Sequence, residues 1–168
     1  MMKKNIRILI AIICVLAVAI GAIGCDDTAE SIEAETHEEN TTFLLSVGDD
    51  THIVSMYDLL TIGAVSVSSS PRGVFRTFTG VPLAKIFSHF EIDYSSANSV
   101  VFQSLDGFMS SVSLAEALDE TNTFIVFEED WQALGTYEEG GRGPFMVIVA
   151  LDQFPNRWAR YLTEVTLQ

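Results

Sequence analysis

Ser66-Val-Ser-Ser-Ser-Pro-Arg-Gly-Val-Phe-Arg-Thr-Phe-Thr-Gly-Val-Pro-Leu-Ala-Lys-Ile-Phe-Ser-His-Phe90 joins two kinds of chain in one run. The second half is punctuated as a helix. Thr79 is placed to cap it, Pro82 suits a first turn whose N–H would lack a partner anyway, and Leu83, Ile86, Phe87 and Phe90 recur at i, i+3, i+4 and i+7. One face of that helix is therefore expected to be buried. The first half reads as an irregular run of small hydroxyl residues, Ser66, Ser68, Ser69 and Ser70, followed by Arg72 and Arg76. A guanidinium offers paired donors to an oxyanion, so any anionic ligand is expected here. The same two arginines are equally suited to pairing with surface carboxylates.

Charge sharpens that expectation. Nine Lys and Arg stand against 23 Asp and Glu. Lys3, Lys4 and Arg7 precede Cys25 and every acidic residue follows it, so only six cations face all 23 anions beyond the leader. A surface this acidic repels nucleic acid and anionic headgroups, which excludes a nucleic-acid partner.

Residues 1–25 read as a targeting segment: a basic start, an uncharged apolar run from Ile8 to Gly24, and small residues before Cys25. The closing Ala22-Ile23-Gly24-Cys25 resembles a bacterial lipoprotein box, which implies lipidation at Cys25 and display on the outer face of the cell membrane. The competing reading is an uncleaved membrane helix, since the run approaches the roughly 20 residues that span a bilayer. Residues 26–42 carry Asp26, Asp27, Glu30, Glu33, Glu35, Glu38 and Glu39 with almost no large apolar side chain, and are expected to be a flexible acidic tether. His37 within it reads as a solvated side chain.

The remainder, 43–168, suffices for one domain. Phe43 to Val47 and His52 to Val54 read as strands about a Gly48-Asp49-Asp50 turn, and Ser55 with Asp58 as a capping pair for a helix through Met56, Leu59 and Leu60. Ser99 to Ser104 and Phe108 to Val112 flank Leu105-Asp106-Gly107, a hairpin signal. Ser113 to Glu116 is a capping box opening a helix with Leu114, Ala117 and Leu118 inward. Thr123 to Phe127 reads as a strand, Glu128 to Gly143 as a long acidic loop, Phe145 to Leu151 as a strand covered on both faces, and Tyr161 to Leu167 as a last strand. Strands with three short helices predict an α+β domain.

Thr79-Gly80-Val81-Pro82-Leu83 before an amphipathic helix, then Leu105-Asp106-Gly107-Phe108, then Gly143-Pro144-Phe145 opening an apolar strand, resemble the oxidoreductase molybdopterin-binding domain of the sulfite oxidase type. The helix at Met56 to Leu60 sits where that family has an early helix, and the resemblance spans essentially the whole domain. It implies a single α+β domain of that type and, as ancestral ligand, a pterin whose dithiolene holds molybdenum. In catalytic members a Cys shortly before the Gly-Val-Pro-Leu-like motif supplies the metal thiolate. Here Cys14 lies in the leader, Cys25 is the lipidation site, and the corresponding segment offers serines. A hydroxyl is a far weaker acid and a harder ligand than a thiol, so Ser is no simple replacement. Where the family's strand carries an Arg and ends in Pro, this chain has Met146 and Ala150. That departure implies a missing cationic contact to the cofactor.

The residues assigned to ligand binding are Ser68, Ser69, Arg72, Arg76, Asp106 and Arg142; no catalytic residue and no metal ligand is assigned. Arg142, between Gly141 and Gly143, has a bland reading as a turn residue. Glu128, Glu129, Asp130, Glu138 and Glu139 lack the spacing of a calcium loop and read as a solvated acidic stretch. Trp131 and Tyr137 are expected to pack on the domain edge, and His89 to be solvated. The sequence thus points to a lipid-anchored extracytoplasmic domain, degenerate at its metal site, that binds a pterin-like or other small anion, with a membrane protein as a further partner. The alternative is a working molybdopterin oxidoreductase without a Cys ligand. An open cavity behind Ser66 to Thr79, rather than one filled by Phe75 and Phe78, would keep the ligand readings alive.

Overall fold

Alternation of apolar and polar residues sets the first strand pair. In β1 (Thr42–Val47) Phe43 and Leu45 are buried while Leu44 faces out, and the partner β2 (Asp50–Ser55) sets Val54 opposite Phe43. The structure, a computed structural model, describes residues 41–168; the leader, Cys25 and the tether up to residue 40 lie outside those residues. Thr42, placed at the end of the tether by its sequence, belongs to β1.

Ser55 then caps α1 (Met56–Ile62). The Asp58 N–H donates to Ser55 Oγ at 3.2 Å and the Ser55 N–H to Asp58 Oδ2 at 2.8 Å, the reciprocal box expected. Leu59 is buried, whereas Leu60 lies on the outer side.

The decisive stretch folds differently from its sequence reading. The serine run is the regular edge strand β3 (Val65–Ser69), and a tight turn at Pro71–Gly73 returns the chain into β4 (Arg76–Pro82). Thr79 caps nothing: it pairs with Ser66 on one side and Glu128 on the other. Helix α2 (Leu83–His89) begins one residue after Pro82, which occupies the cap position. Extended pairing on both edges outcompeted the local cap, and the apolar stripe followed the expectation, with Leu83, Ile86 and Phe87 buried and Phe90 packed against the core.

β5 (Ser99–Ser104) and β6 (Met109–Ser113) form the expected hairpin. Gly107 at φ 83° takes the left-handed position, and the Phe108 N–H donates to Asp106 Oδ1 at 3.0 Å. α3 (Leu114–Leu118) starts from the Ser113–Glu116 box. β7 (Thr123–Glu129) outruns its predicted end by two residues and turns at Asp130 and Trp131, both at positive φ, into β8 (Gln132–Ala133). Two residues of that backbone hand make a tight hairpin without the Asn-Gly or Asp-Gly that would announce it. β9 (Met146–Val149) is buried at every residue, and a turn at Pro155–Arg157 leads to β10 (Leu162–Leu167).

The result is α+β with two five-stranded sheets. One runs β2-β1-β10-β5-β6 and is mixed, β1 and β10 being parallel; the other runs β3-β4-β7-β8, with β9 also on β7, and is antiparallel. Both feed one hydrophobic core. Phe43 of the first sheet meets Phe145, which leads into β9 of the second, edge to face at 5.3 Å.

Candidate functional site

The turn after β3 delivers the first functional side chain. Arg72 sits in left-handed backbone, φ 56° and ψ 25°, unusual for a residue with a Cβ, and its N–H is held by the Gln153 carbonyl at 2.9 Å. β4 supplies Arg76. The 135–143 loop supplies Arg142, whose N–H donates to the Leu134 carbonyl at 2.8 Å and whose carbonyl accepts from the Tyr161 N–H at 3.0 Å. Arg160 comes from the segment between the Pro155–Arg157 turn and β10. These four arginines line one open cavity of about 320 Å³, with Val74, Met146 and Trp158 among its walls. Four of the domain's six cationic side chains thus meet in one place.

The other two are engaged elsewhere. Arg157 grips Asp152 through two hydrogen bonds, 2.9 and 2.6 Å, and reaches Glu116 at 2.9 Å. Lys85 approaches Glu120 at 3.8 Å on the surface. Outside the cavity lining, Glu129, almost fully buried, pairs with both Arg76 and Arg142. Arg72 and Arg160 have no carboxylate partner among the described residues. Burial first, then repulsion from Arg76 and Arg160, pushes Arg142 below the ordinary guanidinium range. The cluster therefore carries uncompensated positive charge, a standing attraction for an oxyanion.

The wall is rigid on the Trp158 side. Trp158 stands edge-on to Phe78 with ring centroids 5.4 Å apart, and its indole N–H donates to the Val149 carbonyl at 3.2 Å. Phe78 is thus core, Phe75 is 84% exposed, and neither fills the cavity.

Of the residues assigned from sequence, Arg72, Arg76 and Arg142 are brought together. Ser68 is exposed on edge strand β3, and buried Ser69 spends its hydroxyl on the Ala150 carbonyl at 2.9 Å; neither lines the cavity. Asp106 lines a second depression that shares Pro155, Trp158 and Arg160 with the first. Met146 lines the arginine cavity as an apolar wall, and Arg142 and Arg160 supply positive charge there. Sequence reasoning missed Arg160, Trp158 and Glu129, which reach the site only through chain reversals; the cue at hand was the concentration of scarce cations at Arg157 and Arg160. One further correction concerns an aromatic: Trp131 does not pack on the domain edge but is 77% exposed, whereas Tyr137, half exposed, packs edge to face on Tyr161 at 5.0 Å. His89 is exposed as expected.

No family model and no curated protein matches the chain. Among solved structures it is similar to the sulfane dehydrogenase SoxCD from Paracoccus pantotrophus, with a TM-score of 0.63 at 12% identity over 77% of this chain. The match spans only 38% of that protein's chain. At the level of fold, the domain is sulfite oxidase-like. The described residues contain no cysteine, and Ser69, in the strand preceding β4, has its hydroxyl committed to the Ala150 carbonyl. No described helix is long and apolar enough to cross a membrane.

Proposed function

We propose that the chain is a membrane-tethered, extracytoplasmic lipoprotein whose sulfite oxidase-like domain has lost its metal site and binds a small anion. The observation that carries this reading is the convergence of Arg72, Arg76, Arg142 and Arg160 on one open cavity in a domain otherwise dominated by carboxylates. Guanidiniums from four separate segments repel one another, and a bound oxyanion relieves that repulsion. Arg72 and Arg160 are the primary contacts, because Glu129 already engages the other two.

Inorganic phosphate and sulfate are the first ligands to test. At low ionic strength, millimolar phosphate is expected to raise the melting temperature of the purified chain, the effect fading as salt screens it. R72Q combined with R160Q should abolish the shift and leave the anion-free melting temperature within a degree or two. An unmoved melting temperature in the parent chain at low salt overturns the reading. The lipoprotein assignment has its own test: a signal peptidase inhibitor should retard the protein on a gel.

The second reading, a molybdopterin-dependent oxidoreductase that works without a cysteine ligand, draws on the fold likeness. Near-stoichiometric molybdenum in protein purified from its native host would replace the first reading with it.

A further inference from the structure

We infer that the cationic cavity and the depression beside it form one groove for a guanosine monophosphate-type ligand, phosphate on the arginines and base at Asp106. The inference rests on the anion-binding reading above and names the ligand class of that site.

The two depressions share Pro155, Trp158 and Arg160, so a molecule seated in one extends into the other without leaving the wall. Their volumes, about 320 and 510 Å³, far exceed a phosphate and suit a ligand with a body. Their chemistry differs in sign. The first holds four guanidiniums; the second holds one of them, Arg160, together with the Asp106 carboxylate, the Asn156 amide and the half-exposed ring of Phe108. Such a groove favours a molecule that is anionic at one end and planar with N–H donors at the other.

Asp106 Oδ1 accepts the Phe108 N–H at 3.0 Å, which fixes the carboxylate and leaves Oδ2 for a ligand. Guanine presents adjacent N–H donors beside a carbonyl oxygen along one edge. A carboxylate and an amide lining one depression suit that pattern, the carboxylate to accept from the ring N–H and amino group and the Asn156 amide to donate to the carbonyl. Adenine offers a ring acceptor where guanine offers a donor, which repels the carboxylate. The Phe108 ring provides a face for the base. The Asn156 wall is held in place through its neighbour Arg157, whose carbonyl accepts the Ser110 hydroxyl at 2.8 Å and whose side chain grips Asp152 and Glu116.

Isothermal titration of the purified full chain, in detergent at low salt, compares inorganic phosphate, adenosine monophosphate and guanosine monophosphate. The guanosine nucleotide is expected to bind about tenfold more tightly than either of the others, as one well-made carboxylate–base contact allows. D106N keeps an oxygen for the Phe108 N–H, so the hairpin persists, and should cost the guanosine nucleotide about tenfold while leaving phosphate unchanged. Guanosine monophosphate binding no better than phosphate in the parent chain, or equally well to D106N, overturns the inference while the anion site stands. Absence of phosphate binding in the parent chain overturns the anion reading itself, and this inference with it.

Discussion

Glu129 shows how one residue tunes a charged site. Its carboxylate is nearly inaccessible, yet it is flanked by arginines from β4 and from the 135–143 loop, so it serves as an internal counter-ion holding both against the wall. Replacing it by Gln removes that charge without emptying the space. E129Q should lose about 1–2 kcal/mol of stability in urea unfolding, less than a fully buried pair would, because both arginines keep about a third of their side-chain surface in water. The same variant should gain more stabilisation from phosphate than the parent chain does. Nothing in Phe-Glu-Glu-Asp-Trp marks Glu129 apart from Glu128: strand alternation turns the first inward, and only the approach of Arg76 and Arg142 makes that orientation tolerable.

At the scale of elements, the contact between β4 and β7 decides where the site's cations stand. Gly80 sits at a register shift there, and a Cβ built on it would lie 2.3 Å from the Ile125 carbonyl and 2.6 Å from the Val126 Cα. Backbone on both sides leaves no room to yield. G80A should therefore cost at least about 3 kcal/mol, read as a lower denaturation midpoint. The turn at Pro155–Arg157 depends instead on charge. Its partner Glu116 is held down at about 2, first by the Arg157 hydrogen bond and then by the Ser113 N–H. A carboxylate depressed from 4.5 stabilises the fold fully above that value and loses the contribution as pH falls toward 2. The acid limb of the stability profile should flatten in R157Q, which at neutral pH should be about 1 kcal/mol less stable than the parent, the modest size reflecting partial solvent exposure. Both capping boxes were legible because they close within four residues. The hairpin at Asp130–Trp131 was not, because its residues adopt positive φ without being Gly or Asn.

For the whole molecule, the meeting of the two sheets is what makes a cavity wall possible. Phe145 lies between them, fully buried, its ring against Phe43, its carbonyl accepting the Leu162 N–H at 2.9 Å. F145A should cost about 3–5 kcal/mol, measured by urea unfolding, and should weaken phosphate binding by loosening the neighbouring Met146 wall. The acidic surface adds a second global effect: a ligand anion approaches against long-range repulsion and is attracted only near the arginines, so moderate salt should speed association even as it weakens the complex.

What the amino-acid sequence determined by itself is whatever short-range chemistry can specify: the strand alternation of β1, the two capping boxes, the Asp-Gly hairpin, the apolar stripe of α2, and the scarcity of cations that made Arg72 and Arg76 worth noticing. Only the tertiary structure decided that the serine run is a paired edge strand, that Thr79 pairs rather than caps, and that Arg142 and Arg160 join the first two arginines. The physical reason is range. A cap or a turn is settled by hydrogen bonds within a few residues, whereas a cluster of like charges is locally unfavourable and exists because two sheets, packed for the burial of their apolar faces, carry distant segments to the same place.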